Sequence, residues 1–180
     1  MSDSTQIGIE YSFPIGRHFR PDAVSSEQLH NAIAAVAALP ENLRSAVSGL
    51  DDAQLDTPYR VGGWSVRQLV HHVADSHMNM LLRFKLGLTE DWPTITPYPQ
   101  ELWAELADSF LPIEISLTLI ESLHRRWVAV LESMTPSQWD RGFVHPETGR
   151  HTLAQAMLLY DWHGRHHTAH ITELRNRMGW

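Results

Sequence analysis

Apolar residues recur every three or four positions along four segments of the chain, which is the spacing of one face of an α-helix. The first segment begins after Ser25-Ser26 and continues beyond Pro40, where the missing N–H and the pyrrolidine ring predict a kink or a restart. The other three segments run over residues 65–88, 113–134 and 152–178. No strand pattern is comparably strong, although residues 143–149 fit a short hairpin. The pattern predicts an all-α four-helix bundle.

Local signals place the helix starts and the connections. Ser65 with Gln68, and Thr152 with Gln155, form capping boxes at the starts of the second and fourth helices. A proline-rich crossover with a short helix near residues 101–108 makes the second connection long. Residues 1–24 mix glycine, proline and aromatic residues and predict an extended arm. We expect residues 1–180 to form a single domain.

Composition narrows the classes of function. Hydrophobic residues make up 43% of the 180 residues and charged residues 19%, as in a globular protein. The net charge of −7 and the lack of a basic run argue against a nucleic-acid partner. The absence of cysteine excludes disulfides, zinc–thiolate sites, iron–sulfur clusters and a cysteine nucleophile. The polar start, Met1 to Thr5, and the short apolar runs predict a cytoplasmic protein with no membrane partner.

The fourth helix carries the strongest chemical signal, four histidines within eight residues. His166 and His170 are four apart, so two neutral imidazoles on one helical face can share a divalent metal. His163 and His167 have the same offset, and all four point into one quadrant of the helix. The spacing therefore leaves the pairing open.

The second helix supplies a further histidine group, with His71 and His72 followed by Asp75 and His77. One ligand from this helix would complete a three-histidine site with open positions, which is typical of a catalytic metal. His71 and Asp75 are four apart, which suits a carboxylate that orients an imidazole. The alternative interpretation is a polar histidine seam inside the bundle.

Other side chains flank this site or are excluded from it. Arginine suits carboxylate recognition, and several residues that flank the histidines are candidates for contact with a substrate. They are Trp64, Arg67, Arg83, Trp162 and Arg165. No Gly-x-Ser-x-Gly elbow indicates a serine hydrolase, and no glycine-rich loop indicates a phosphate site.

Two extended motifs carry a family resemblance. The segment Gly62-Gly63-Trp64-Ser65 through His71-His72, Asp75 and His77 resembles the second-helix signature of the DinB-like proteins of the YfiT type. The segment Trp162-His163-x-x-His166-His167-x-Ala-His170-Ile-Thr-Glu-Leu174 resembles their fourth-helix motif. Shorter matches elsewhere extend the resemblance over nearly the whole chain. Where relatives often have a further histidine, this chain has Arg165.

The resemblance implies an up-down-down-up bundle that holds one zinc or nickel ion. Its implied ligands are His72, His166 and His170. Members of this type are described as metal-dependent hydrolases and as homodimers. Related bundles are thiol S-transferases, which use the metal to hold a low-molecular-weight thiol such as bacillithiol.

Three functional hypotheses follow. The first is a metal-dependent enzyme acting on a small molecule, either by transferring a thiol to an electrophile or by hydrolysis with metal-bound water. Asp75 or a spare histidine (His71, His163 or His167) would serve as base in hydrolysis. We expect thiol transfer by family analogy. The second hypothesis is a non-catalytic metal-binding bundle, and the third is a structural dimer with a polar histidine seam and no metal.

Overall fold

Four long helices dominate the computed structural model, which describes residues 11–180. They are α1 (Ser26–Val47), α3 (Val66–Thr89), α5 (Glu114–Glu132) and α6 (Leu153–Met178). Two single-turn helices lie in the connections, α2 (Asp52–Leu55) and α4 (Gln100–Trp103). The predicted four-helix bundle is confirmed, with long helices close to the expected bounds.

Reciprocal side-chain caps begin three of the long helices. Ser65 Oγ accepts from the backbone N–H of Gln68 at 3.1 Å, and the Gln68 side chain accepts from the Ser65 N–H at 3.0 Å. Thr152 and Gln155 make the same exchange at the start of α6. Both predicted capping boxes are therefore present, and they fix where the two histidine-bearing helices begin.

Helix α1 runs through Pro40 as one element, so the predicted restart does not occur. Proline has no N–H to give to the carbonyl four residues earlier, and the Val36 carbonyl therefore lacks its usual helical donor. His124 of α5 supplies a hydrogen bond to that oxygen at 2.7 Å. A side chain of a neighbouring helix thus compensates the proline.

Two apolar clusters form the core at different levels of the bundle. One surrounds Trp127 and Phe84, whose rings meet edge to face with centroids 5.3 Å apart. The other surrounds Leu43 and Leu69. Helix α1 packs mainly on α6 and α5, while α3 packs on α5 and α6. This arrangement brings the histidine-rich faces of α3 and α6 together.

The remaining connections are short or irregular. The crossover from α3 to α5 holds α4 and a 3₁₀ turn (Ala107–Phe110) in place of the one predicted helix. The predicted hairpin is present as β1 (Gly142–His145) and β2 (Gly149–Thr152), paired antiparallel. Of the expected arm, residues 1–10 lie outside the described residues, and residues 11–24 contain no helix or strand. Among residues 11–180, no helix is both long and apolar enough to cross a bilayer.

Candidate metal centre

Three imidazoles from two helices converge between α3 and α6. His163 Nε2 and His167 Nε2, one turn apart on α6, are separated by 3.2 Å. His72 of α3 completes a group whose possible ligand atoms all lie within 4.8 Å of one another. Its ring centroid is 5.4 Å from that of His163 and 4.9 Å from that of His167. Within residues 11–180, no other group of three such side chains meets that distance.

The geometry and charge state of this group fit a divalent metal. Two nitrogens at about 2.05 Å from a tetrahedral zinc are separated by roughly 3.3 Å, close to the distance between His163 and His167. Burial lowers the pKa of His72 to about 4. It also lowers the pKa values of His163 and His167, with neighbouring histidines acting in the same direction. All three imidazoles are therefore neutral at pH 7, as metal ligation requires.

Hydrogen bonding of the His167 ring is incomplete. Among residues 11–180, His167 Nδ1 is buried without a hydrogen-bond partner, as is His166 Nδ1, and the one polar contact of the His167 ring is through Nε2. A buried polar side chain that relies on one short contact to another histidine is costly without a further partner. A metal at Nε2 would give that nitrogen a second partner but would leave Nδ1 unpaired, so this atom does not distinguish His167 from His166 as a ligand.

A second histidine pair lies beside the first. His166 Nε2 and His170 Nε2 are 3.1 Å apart. The Trp162 ring stacks on His166 with centroids 4.3 Å apart, and the Tyr59 ring lies 4.3 Å from His170. Burial lowers the pKa of His166 to about 4 and that of His170 to about 3.

The three converging histidines differ at two positions from the ligand set that the family resemblance implies. His72 is common to both, but the α6 partners near it are His163 and His167 instead of His166 and His170. All four α6 histidines lie on the inward face, as the helical wheel predicts. Which pair meets His72 depends on how α6 is rotated in the bundle, and spacing along one helix carries no information on that rotation.

Trp64 and Trp162 lie against the histidines, as expected from the sequence. The Trp64 ring centroid is 4.6 Å from that of His72. Trp162, besides stacking on His166, donates from Nε1 to the Gly16 carbonyl at 3.0 Å. This bond ties residues 11–24 to the side of the site.

Arg67 and His71 have other partners. Arg67 is buried and forms ion pairs with Asp56 at 2.6 Å and Asp52 at 2.8 Å. His71 donates from Nε2 to the Leu111 carbonyl at 2.9 Å and accepts at Nδ1 from the Ser116 hydroxyl at 2.7 Å. Both side chains thus fasten α3 to neighbouring segments, and His71 is not oriented by Asp75.

The remaining flanking residues lie outside the histidine group. Asp75 is half-buried, and burial together with the Asp108 carboxylate raises its pKa to about 6. Arg83 lies 5.9 Å from the Tyr98 ring centroid. Arg165 forms an exposed ion pair with Asp161.

A cavity of about 270 Å³ opens beside the histidines. Its walls include residues that the sequence did not single out, namely Tyr59, Arg60, Gln100 and Glu101. Gly63 allows Arg60 and Tyr59 to pack closely, because a Cβ at Gly63 would lie 2.8 Å from Arg60 Cγ and 3.1 Å from the Tyr59 ring. Gly62 and Gly63 open the second-helix motif, which does not show what this turn faces.

Two further buried histidines, His77 and His124, connect to the group from the bundle interior. His77 Nε2 lies 3.3 Å from His163 Nδ1, and His77 Nδ1 lies 3.0 Å from His124 Nε2. The sequence placed His77 near the site, whereas His124 was missed. The available signal was its position on the apolar face of α5, between Ile120 and Trp127.

Comparisons with known proteins identify the family of the chain and relatives described as metal-dependent. The family model of the DinB superfamily matches residues 35–171. A Bacillus cereus (strain 03BB102) protein named "Putative metal-dependent hydrolase" is 55% identical over 168 residues, covering 93% of this chain and 97% of its own. A Bacillus thuringiensis subsp. konkukian protein of the same description shows the same identity and coverage.

A solved structure shares the fold. YfiT from Bacillus subtilis, described as "a probable metal-dependent hydrolase with an unusual four-helix bundle topology", superposes with a TM-score of 0.92 at 50% identity. The match covers 95% of this chain and 99% of that one. Together with the matched residues 35–171, this similarity shows that the chain belongs to the DinB superfamily and is of the YfiT type.

Proposed function

We propose that the chain is a metal-dependent enzyme whose ion is held by His72, His163 and His167. The observation that carries the proposal is the convergence of these three neutral imidazoles, all within 4.8 Å, at the wall of a cavity. Three protein ligands leave at least one coordination position for water or substrate, as in catalytic zinc sites. When bound, such an ion lowers the pKa of a coordinated water or thiol.

The cavity supports a small polar substrate. Its volume of about 270 Å³ lies just below the usual range for drug-sized ligands, about 300–1,000 Å³. Trp64 and Trp162 supply flat apolar walls, and Arg60 supplies a cation. Arg60 Nη1 donates to the Val61 carbonyl at 3.1 Å, while its buried Nε has no hydrogen-bond partner in the described part of the chain. We infer that Arg60 receives an anionic group, such as a carboxylate, of the substrate.

Hydrolysis is the first candidate reaction, and the names of the relatives support it. Hydrolysis needs a group that accepts a proton from the attacking water. Glu101 lines the cavity, whereas Asp75 is absent from its walls. Glu101 is therefore better placed than Asp75 to act as the base, and His166, which also lines the cavity, is the histidine left spare by the proposed ligand set.

Thiol transfer is the second candidate reaction. Glu101 is exposed, so the one carboxylate in the described lining lies in a solvated position and is a weak candidate for a base. Transfer of a thiol that ionises at the metal needs no such base, and Arg60 would suit a low-molecular-weight thiol bearing a carboxylate, as bacillithiol does. The chain has no cysteine, so the thiol would come from a co-substrate.

The two reactions are distinguished by assay of the protein loaded with zinc or nickel. One set of assays supplies small esters and amides, and the other supplies a thiol together with an electrophilic acceptor. The proposal expects turnover in one set, lost on chelation and in His72→Ala. Metal binding without turnover in either set would favour the non-catalytic alternative.

The homodimer that the family resemblance implies and the cytoplasmic location expected from the sequence stay predictions. Light scattering of the purified chain tests the first. A mass of two chains is expected, and a mass of one chain would contradict it.

A further inference from the structure

A line of hydrogen bonds leads from the backbone of α1 to a proposed metal ligand. It begins at the Val36 carbonyl, which lies 2.7 Å from His124 Nδ1. It continues from His124 Nε2 to His77 Nδ1 at 3.0 Å and from His77 Nε2 to His163 Nδ1 at 3.3 Å. His77 and His124 are fully buried, so water does not compete for these contacts.

The first member of this line can act only as an acceptor. A carbonyl oxygen cannot donate, so the proton of His124 must be on Nδ1. The Val36 oxygen is available because residue 40, which would normally donate to it within the helix, is proline. The proline in α1 therefore sets the direction of the first bond.

The donor and acceptor of each further hydrogen bond follow from this first one. A neutral imidazole has one donor and one acceptor, so His124 Nε2 accepts and His77 Nδ1 must donate to it. His77 Nε2 is then an acceptor, and His163 Nδ1 must donate in turn. Burial lowers the pKa of His124 to about 4, which keeps this ring neutral at pH 7.

We propose that the Val36–His124–His77 line fixes His163 in its Nδ1–H tautomer, so that its Nε2 lone pair already points at the metal position before any ion binds. His77 and His124 are positioning residues, because they act through His163. Metal-binding histidines commonly donate their second N–H to a carboxylate, a carbonyl or water. Here two imidazoles lie between the ligand and the carbonyl.

His167 provides an internal contrast. Its Nδ1 has no partner among the described residues, so its tautomer is set only through the contact of Nε2 with His163. In the metal-free protein Nε2 of His163 can accept from His167 Nε2–H across the 3.2 Å gap, and the Ser76 hydroxyl lies 3.5 Å from the same nitrogen. Metal binding would then move the proton of His167 to Nδ1 and leave His163 unchanged.

The direct test is nitrogen NMR of ¹⁵N-histidine-labelled protein without metal. Long-range proton–nitrogen correlations distinguish protonated from unprotonated ring nitrogens. We expect His124, His77 and His163 all to carry their proton on Nδ1. A proton on His163 Nε2 would overturn the proposal, and because no metal is present this result does not depend on the proposed function.

Metal affinity of matched variants gives the second readout. His124→Leu removes the hydrogen bond to His77, the residue that contacts His163. This variant is expected to weaken zinc affinity about 10- to 100-fold. His124→Gln, whose amide can both donate to Val36 and accept from His77, is expected to restore most of that loss. His71→Leu is the control, since His71 is similarly buried but bonded elsewhere, and its zinc affinity should be unchanged.

Two outcomes of this titration would contradict the proposal. One is wild-type zinc affinity in a folded His124→Leu protein. The other is an equal loss in His71→Leu, which would indicate a general effect of disturbing the core. If the wild-type chain binds no zinc, the proposed function fails, and the NMR measurement still decides the tautomer of His163.

Discussion

His163 and His167 face each other across 3.2 Å through their Nε2 atoms, one turn apart on α6. Without a metal, one of these nitrogens must donate a proton to the other. With a metal, both can present lone pairs to the same ion, at close to the roughly 3.3 Å separation of a tetrahedral site. The two imidazoles can therefore ligate one ion together, and His72 of α3 can supply a third ligand.

The buried histidines predict strong acid sensitivity of the metal-free protein. Burial lowers the pKa of His72 and His124 from 6.5 to about 4. Above pH 6.5 neither state is protonated, so their stabilising contribution is fully present. As the pH falls from 6.5 toward 4, the unfolded chain binds protons that the folded state excludes, and the contribution is lost.

Each such group accounts for about 3 kcal/mol over this window. Urea unfolding of chelator-treated protein at pH 7, 5.5 and 4.5 should therefore give a free energy of unfolding that falls steeply. In His124→Gln the fall should be smaller, because one titrating group is gone. A free energy that stays constant from pH 7 to 4.5 would contradict the assigned burial.

Asp75 predicts the opposite dependence on pH. Burial and Asp108 raise its pKa from 3.8 to about 6, so the folded state favours the protonated acid. Its contribution to stability is greatest below pH 3.8 and is lost as the pH rises through 6. After allowance for its partial exposure, Asp75→Asn should stabilise the protein by about 1 kcal/mol at pH 7.5 and by nothing at pH 4.

Urea unfolding at the two pH values checks this prediction. The exposed Asp91 provides the matched control, and Asp91→Asn should leave the free energy of unfolding unchanged at both. A destabilised Asp75→Asn protein at pH 7.5 would show that the ionised carboxylate has a favourable partner.

Arg60 predicts a change in substrate binding. If its guanidinium receives an anionic group of the substrate, Arg60→Ala should raise KM about 10- to 100-fold, the loss expected for a hydrogen bond to a charged group. Metal content should stay at the wild-type level. Arg165→Ala is the control, because Arg165 is already paired with Asp161 on the exposed side of α6. Equal KM values for wild type and Arg60→Ala would refute the assignment.

The bundle could be predicted from sequence because its signals are local. Ser65 with Gln68 and Thr152 with Gln155 mark helix starts within four residues, and the apolar period marks the rest. The sequence could not show which histidine pair of α6 lies nearest His72, because both pairs share the same face. The rotation of α6 depends on close packing such as that of Gly164, where a Cβ would lie 2.8 Å from Leu39.

Contacts between helices also explain why other expectations from the sequence differ from the structure. The spacing of His71 and Asp75 suggested a bond between them, but Leu111 and Ser116 from distant segments take both nitrogens of His71. His124 carried no signal in the sequence beyond its place on the apolar face of α5. Its role follows from a carbonyl freed by Pro40 on another helix, and no pattern within α5 reports that.

The central claim is that His163 and His167, with His72, hold the metal. Elemental analysis of untagged protein after reconstitution with zinc, on four single-alanine variants, tests it most directly. We expect about one zinc per chain in the wild type, in His166→Ala and in His170→Ala, and strong loss in His163→Ala and His167→Ala. Full zinc content in both His163→Ala and His167→Ala, with loss in His166→Ala and His170→Ala, would contradict it and support the set His72, His166 and His170.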